Sequence, residues 1–206
     1  MRHVIVIAAT MMLIAAAVRV AAQDRMPPIP ADKLTDAQKN AIEAFKAARS
    51  ADISGPFIPL LRSPELLTRA RAMGDYVRYR SALPPRLSEL VILITAREWT
   101  QNYEWNAHEP LARQGGLSAD VITAIRDGRR PERMAPDEEI VYTFFEELRR
   151  THGVSDATYA GAVSRLGEQG VVDALGIHGY YTLIASVLNT ARTPLPPGAT
   201  PALAPR

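Results

Sequence analysis

The sequence predicts an all-α fold, a bundle of about seven to eight helices. Three observations predict it. No segment alternates apolar and polar residues as a half-buried strand does. Apolar residues recur instead at helical spacing along most of the chain. Helix-starting Ser, Thr and Pro and helix-stopping Gly divide the sequence so that only short connections remain, which favours bundle packing. At 206 residues the chain is long enough for one domain with a sizeable core.

The first helix opens at Thr35-Asp36-Ala37-Gln38, which has the capping-box form, and Ala37, Ala41, Ile42, Phe45 and Ala48 follow at helical spacing. Ser63-Pro64-Glu65 is a cap with proline at the first helical position, and Leu66, Leu67, Ala70, Met73 and Val77 are expected to share its apolar face. Pro84-Pro85 ends that helix and starts the next. The run LSELVILITAREW, within residues 86–101, suits a helix buried on most of its circumference. A buried strand is the alternative for LVILI, but no turn signal follows it. Helix resumes over 103–114 after a kink near Asn102 and stops at Gly115-Gly116. Ser118 caps 119–127, Pro136-Asp137-Glu138 opens 137–151, Ser155 caps 156–168, and Gly170 separates a last helix over 171–192.

The two ends read differently. Residues 1–22 carry the marks of a secretory signal: Arg2 and His3 form a basic start, residues 4–18 are apolar, and Val20-Ala21-Ala22 offers small residues for cleavage. The run falls short of the ~20 apolar residues of a membrane span, and Arg19 interrupts its exit. The sequence therefore predicts an exported protein, periplasmic or secreted, with no stable membrane span; an uncleaved anchor is the alternative. Residues 23–34 form an extended lead-in, 35–193 the helical domain, and 194–206, with five prolines, a mobile tail.

Composition removes several functions. Without cysteine there is no disulfide, thiolate metal site or sulfur nucleophile in these residues. Removal of residues 1–22 takes away Arg2 and Arg19 and no acid, bringing the formal charge from +2 to 0. A neutral domain leaves no electrostatic footprint for nucleic acid. Glycine-rich phosphate loops, dinucleotide fingerprints and nucleophile-elbow serines are missing, and His108-Glu109-Pro110 lacks the second histidine of a zincin helix.

One stretch, residues 97–108, concentrates chemistry. Glu104 and His108 lie four apart on a helix and share a face. Glu89, fifteen residues before Glu104, returns within roughly 60° of that face if the helix is continuous. Two carboxyls and an imidazole beside apolar groups can exchange protons near neutral pH. The bland readings are a surface ion pair, with Glu89 an acid facing the helix dipole. A metal site of two carboxylates and one imidazole is a further alternative, without an evident second imidazole.

Residues from about 64 to 130, through LPPRLSELVILITARE and YEWNAHEPLARQGGLSADVITAI, resemble the carboxymuconolactone decarboxylase and alkylhydroperoxidase-D-like superfamily. The resemblance implies a cofactor-free, all-helical homo-oligomer. In the peroxidase branch a glutamate precedes a Cys-x-x-Cys pair and a histidine. With Glu89 and His108 aligned, the cysteine positions fall on Gln101 and Glu104, so thiol peroxidase chemistry is excluded. The decarboxylase branch is the nearer match, and it implies His108, Glu104 and Glu89 as catalytic residues with no metal or other cofactor. The expected activity is that of a carboxy-lyase on a small carboxylated or lactone-like molecule. Glu104 is expected to orient the imidazole, Arg97 to bind a substrate carboxylate, and Tyr103, Trp99 and Trp105 to wall the pocket. The segment GVVDALGIHGYYTLIASVLNTA resembles the closing helices of longer members, and His178, Tyr180 and Tyr181 are candidates to approach the site from it. His152, beside Gly153, reads as a helix-end cation.

Overall fold

Capping and proline placement set most helix starts as expected. In the computed structural model, which describes residues 23–205, Thr35 Oγ1 accepts from the Gln38 amide while the Gln38 side chain accepts from the Thr35 amide, closing the capping box. Ser118 and Ser155 accept from the amides of Val121 and Thr158. Ser63 makes no side-chain cap, and its helix relies on Pro64 at the first position. The signal-like segment 1–22 lies outside the described residues.

Among the described residues the chain forms eight α-helices, a single 3-10 turn at Ala31–Lys33, and no strand. The helices are α1 (Asp36–Arg49), α2 (Phe57–Leu60), α3 (Pro64–Tyr79), α4 (Pro85–Glu98), α5 (Asn102–Gln114), α6 (Ala119–Arg126), α7 (Pro136–Thr151) and α8 (Asp156–Ala191). The short α2 carries no apolar period and escapes the sequence pattern. Within α8 the backbone breaks at Gly167, whose φ of 71° belongs to the left-handed region, three residues before the expected separator Gly170.

α4 is the central helix. It packs on α5, α6, α7 and α8, and Leu90, Val91 and Leu93 are fully buried, which explains why it is apolar nearly all round. α1 and α3 form a second layer joined to α8. The buried face of α3 is Leu67, Ala70, Gly74 and Val77, whereas Leu66 and Met73, expected on that face, stand 42% and 41% exposed. α8 is long and apolar enough to cross a membrane, yet its Ile177, Ile184 and Leu188 are buried in the core.

α4 and α5 form a hairpin around Trp99, Thr100 and Gln101. Thr100 takes a left-handed φ of 48°. The Gln101 amide bonds to the Ala96 carbonyl, its side-chain oxygen caps α5 through the Tyr103 amide, and its side-chain nitrogen donates to Asn189 Oδ1 of α8. Asn189 in turn donates to the Trp99 carbonyl at 3.0 Å. The hairpin runs antiparallel, with Gly115 at the end of α5 lying against the Arg86 backbone at the start of α4.

The proline-rich tail meets the helical domain at several points. Leu203 is 3% exposed within the core cluster, its amide donates to Asn102 Oδ1 at 2.7 Å, Asn106 donates to the Thr200 carbonyl, and Arg97 Nη1 donates to the Ala204 carbonyl. Proline content fixed an extended backbone, but one buried leucine and three hydrogen bonds anchor it. Replacing Leu203 with Ala is expected to lower unfolding stability by about 2 kcal/mol, measured by urea denaturation. A change within error would show that the tail contributes no packing.

Candidate active site

The hairpin decides which residues meet. On one continuous helix, Glu89 and Glu104 would face alike yet lie about 22 Å apart along the axis. Folded back, α5 brings His108 against Glu89 of α4. His108 Nδ1 lies 2.7 Å from Glu89 Oε2, and His108 Nε2 lies 3.6 Å from Glu104 Oε2. The expected roles of the two acids are therefore exchanged: Glu89 orients the ring, and Glu104 stands at its free nitrogen. All three residues are at least nine-tenths buried. The carboxyls approach opposite ring nitrogens instead of converging on one point, and among the described residues no cluster of three or more His, Asp or Glu is arranged to hold a metal ion.

A cavity of about 230 Å³ opens at the Glu104 side of the ring. Glu104, His108, Tyr103, Tyr180, Tyr181, Arg78 and Ile184 line it, with Arg49, Phe45 and Phe57 from the α1–α2 side. The Tyr181 ring meets the imidazole edge-on with centroids 4.9 Å apart. Arg49 is held by Asp75 at 2.7 Å and lies over the Phe45 and Phe57 rings. Gly55, at a φ of 54°, brings the loop against Tyr103; a methyl there would sit 2.6 Å from the tyrosine hydroxyl.

Besides Arg49, which Asp75 holds, the cavity is lined by a second cation, Arg78 of α3. Among the described residues its guanidinium has no hydrogen-bond or ion-pair partner, and it stacks over the Tyr79 ring at 5.1 Å. Arg78 also lines a second, larger cavity together with Glu89, Arg86, Leu111 and Gln114. The Glu89–His108 pair thus stands between two cavities that share one arginine. Arg86 is committed elsewhere, to Asp137 at 2.7 Å and to Glu138.

Three of the expected binding residues are not here. Arg97 is buried on the far side, at the tail carbonyl of Ala204. Trp105 is fully buried, with its indole N–H donating to Glu109 one turn along at 2.9 Å. Trp99 sits at the hairpin corner, 37% exposed. Neither tryptophan lines the cavity. Tyr103 does. Of the last-helix candidates, Tyr180 and Tyr181 line it, whereas His178 bonds to Thr95 Oγ1 at 2.9 Å and packs on Phe145. His152 caps α7 in the left-handed conformation.

Residues 64–138 match the family model described as Carboxymuconolactone decarboxylase family. The match covers a little over a third of the chain. No curated protein matches the chain. The carboxymuconolactone decarboxylase segment spans α3 to the start of α7 and so contains Arg78, Glu89, Tyr103, Glu104 and His108. Phe45, Phe57, Tyr180, Tyr181 and Ile184, which complete the cavity wall, lie outside it.

Burial raises the Glu104 carboxyl above its ordinary 4.5; His108 and Arg78 oppose the shift, and Glu89 adds to it. The folded protein then holds this proton to a higher pH than the unfolded chain, so stability falls as pH rises from 4.5 towards the folded value. Replacing Glu104 with Gln keeps the shape and removes the ionisation. Thermal midpoints followed from about pH 5 to 8 are expected to fall less steeply in the variant than in the parent. Parallel profiles would show that Glu104 ionises normally in the fold.

Proposed function

We propose that this protein is a cofactor-free acid–base enzyme of the decarboxylase type, acting on a small carboxylated or lactone-like molecule. The observation that carries the reading is the ring of His108, buried and fixed at Nδ1 by Glu89, with Nε2 turned to a cavity that contains an unpaired arginine. Whichever member of the Glu89–His108 pair holds the shared proton, the bond occupies Nδ1 and leaves Nε2 for substrate. A cavity of about 230 Å³ is below the ~300–1,000 Å³ of drug-sized sites, in keeping with a small metabolite.

Decarboxylation fits these parts. Arg78 would hold a substrate carboxylate by a paired contact. As the bond to the departing carboxylate breaks, its electron pair passes into the adjoining conjugated system, and CO₂ leaves. The pair returns to carbon as His108 Nε2–H delivers a proton, so each turnover consumes one proton. Burial raises the Glu104 carboxyl, which disfavours its negative form beside the developing anion. Lactone isomerisation or hydrolysis would use the same residues. Thiol peroxidase chemistry has no place, because Gln101 and Glu104 stand where that branch carries cysteines.

Replacing His108 with Gln is expected to cut turnover of carboxylated lactones at least about 100-fold while leaving the helical circular dichroism unchanged. Incorporation of deuterium from heavy water at the product carbon reports the proton step directly. An unchanged rate in the folded variant would remove His108 from the mechanism, and no turnover in the parent would leave a ligand-binding protein. Metal analysis that finds stoichiometric zinc or iron would overturn the cofactor-free reading. The signal-like residues 1–22 support export, and the family segment supports a homo-oligomer. Mass spectrometry of the mature N-terminus and light scattering test those two assignments.

A further inference from the structure

The carboxymuconolactone decarboxylase segment leaves two phenols of α8 without a role. Tyr180 and Tyr181 are 4% and 3% exposed, and both line the cavity beside His108. Among the described residues neither hydroxyl has a hydrogen-bond partner, and neither is sealed off from the cavity. A buried phenol normally finds an acceptor, because leaving the donor unmet costs stability. With the unpaired guanidinium of Arg78, three donor-bearing residues line one cavity.

The protein offers few acceptors to satisfy them. Asp52, on the rim, is paired with Lys46 at 3.1 Å, Asp75 takes both Arg49 and Arg71, and Glu89 is bonded to His108. Glu104 also lines the cavity, where it faces His108 Nε2 at 3.6 Å and forms no hydrogen bond with either phenol, so a ligand oxygen can fill the acceptor role. The backbone is also shaped for one of these phenols. Gly74 sits inside α3, where glycine weakens a helix, and a methyl at that position would collide with the Tyr180 hydroxyl. Tyr180 and Tyr181 meet edge-on with ring centroids 5.1 Å apart, and Tyr181 meets His108 in the same way. The donors therefore adjoin the group that moves the proton.

We propose that Tyr180 and Tyr181 form an oxyanion-binding pair, and that together with Arg78 they select a small acid with two separate oxygen functions. One is a carboxylate for the guanidinium. The other is a carbonyl or enol oxygen that takes up negative charge at the phenols. Burial holds both phenols in the donor form, with Tyr180 pushed up to about 12 and Tyr181 well above the ordinary range. This names the substrate class of the proposed acid–base site and rests on that reading for the chemistry, though not for the binding.

Two probes separate the parts. Bound 4-nitrophenol reports its own ionisation by absorbance and tests the phenols; benzoate against benzamide tests Arg78. The parent is expected to hold 4-nitrophenolate ionised to a pH at least about one unit below that of the free probe. Replacing Tyr180 or Tyr181 with Phe should shrink that shift and weaken nitrophenolate binding about tenfold. Replacing Arg78 with Gln should weaken benzoate binding more than tenfold and leave benzamide unchanged. Circular dichroism and thermal midpoints confirm folding of each variant. The His108→Gln variant should still bind both probes, so loss of turnover there, with binding kept, tests the acid–base reading separately. Nitrophenolate bound equally by both phenylalanine variants, benzoate bound no better than benzamide, or no binding by the parent at millimolar probe would each overturn the proposal.

Discussion

The contact between Glu89 and His108 is the constraint on which the rest of the site depends. It joins α4 to α5 inside the core and fixes the imidazole in one orientation, with Nδ1 occupied and Nε2 turned to the cavity. Such a contact is an inefficient source of stability. Removing one partner of a buried pair costs ~3–5 kcal/mol, while a well-packed apolar pair in its place is often no worse. Its presence at the centre of the bundle, between two cavities, is better explained by chemistry than by folding.

Electrostatics then leaves one positive charge without an ion-pair partner beside the cavity. Arg78 faces Glu89, Glu104, Tyr180 and Tyr181, and none of them forms a hydrogen bond or ion pair with it. Burial raises the Glu104 carboxyl and so disfavours the charged form that would pair with the guanidinium. The result is a partly buried cation that, among the described residues, stacks on Tyr79 and has no hydrogen-bond or ion-pair partner.

Helix content, the capping box of α1 and the meeting of Glu104 with His108 were legible in the sequence because each is set by neighbours three or four residues apart. The rest depends on contacts that no local spacing encodes. Arg97 is close to His108 in sequence, but the hairpin corner points it towards the tail, while Arg78 arrives from a different helix. Trp105 has the amphipathic character of a pocket wall, yet Glu109, four residues on, satisfies its N–H and lets the ring sink into the core. The swap of roles between Glu89 and Glu104 follows from the same cause: a shared helix face gives direction, and only the chain reversal gives distance. For α3, taking Leu66 and Met73 as buried shifted its inner face by one residue, which hid Gly74 and with it the seat of Tyr180.

Thr100 turns that corner in a backbone region that a β-branched side chain resists, at a cost of order 1–3 kcal/mol. The bend is not the relaxed preference of its own residues. It behaves as a loaded spring with two catches, Asn189 gripping one side of the corner and the strap around Leu203 gripping the other. The same corner sets the distance between imidazole and acid, so these two catches hold the alignment of the site as well as the bend.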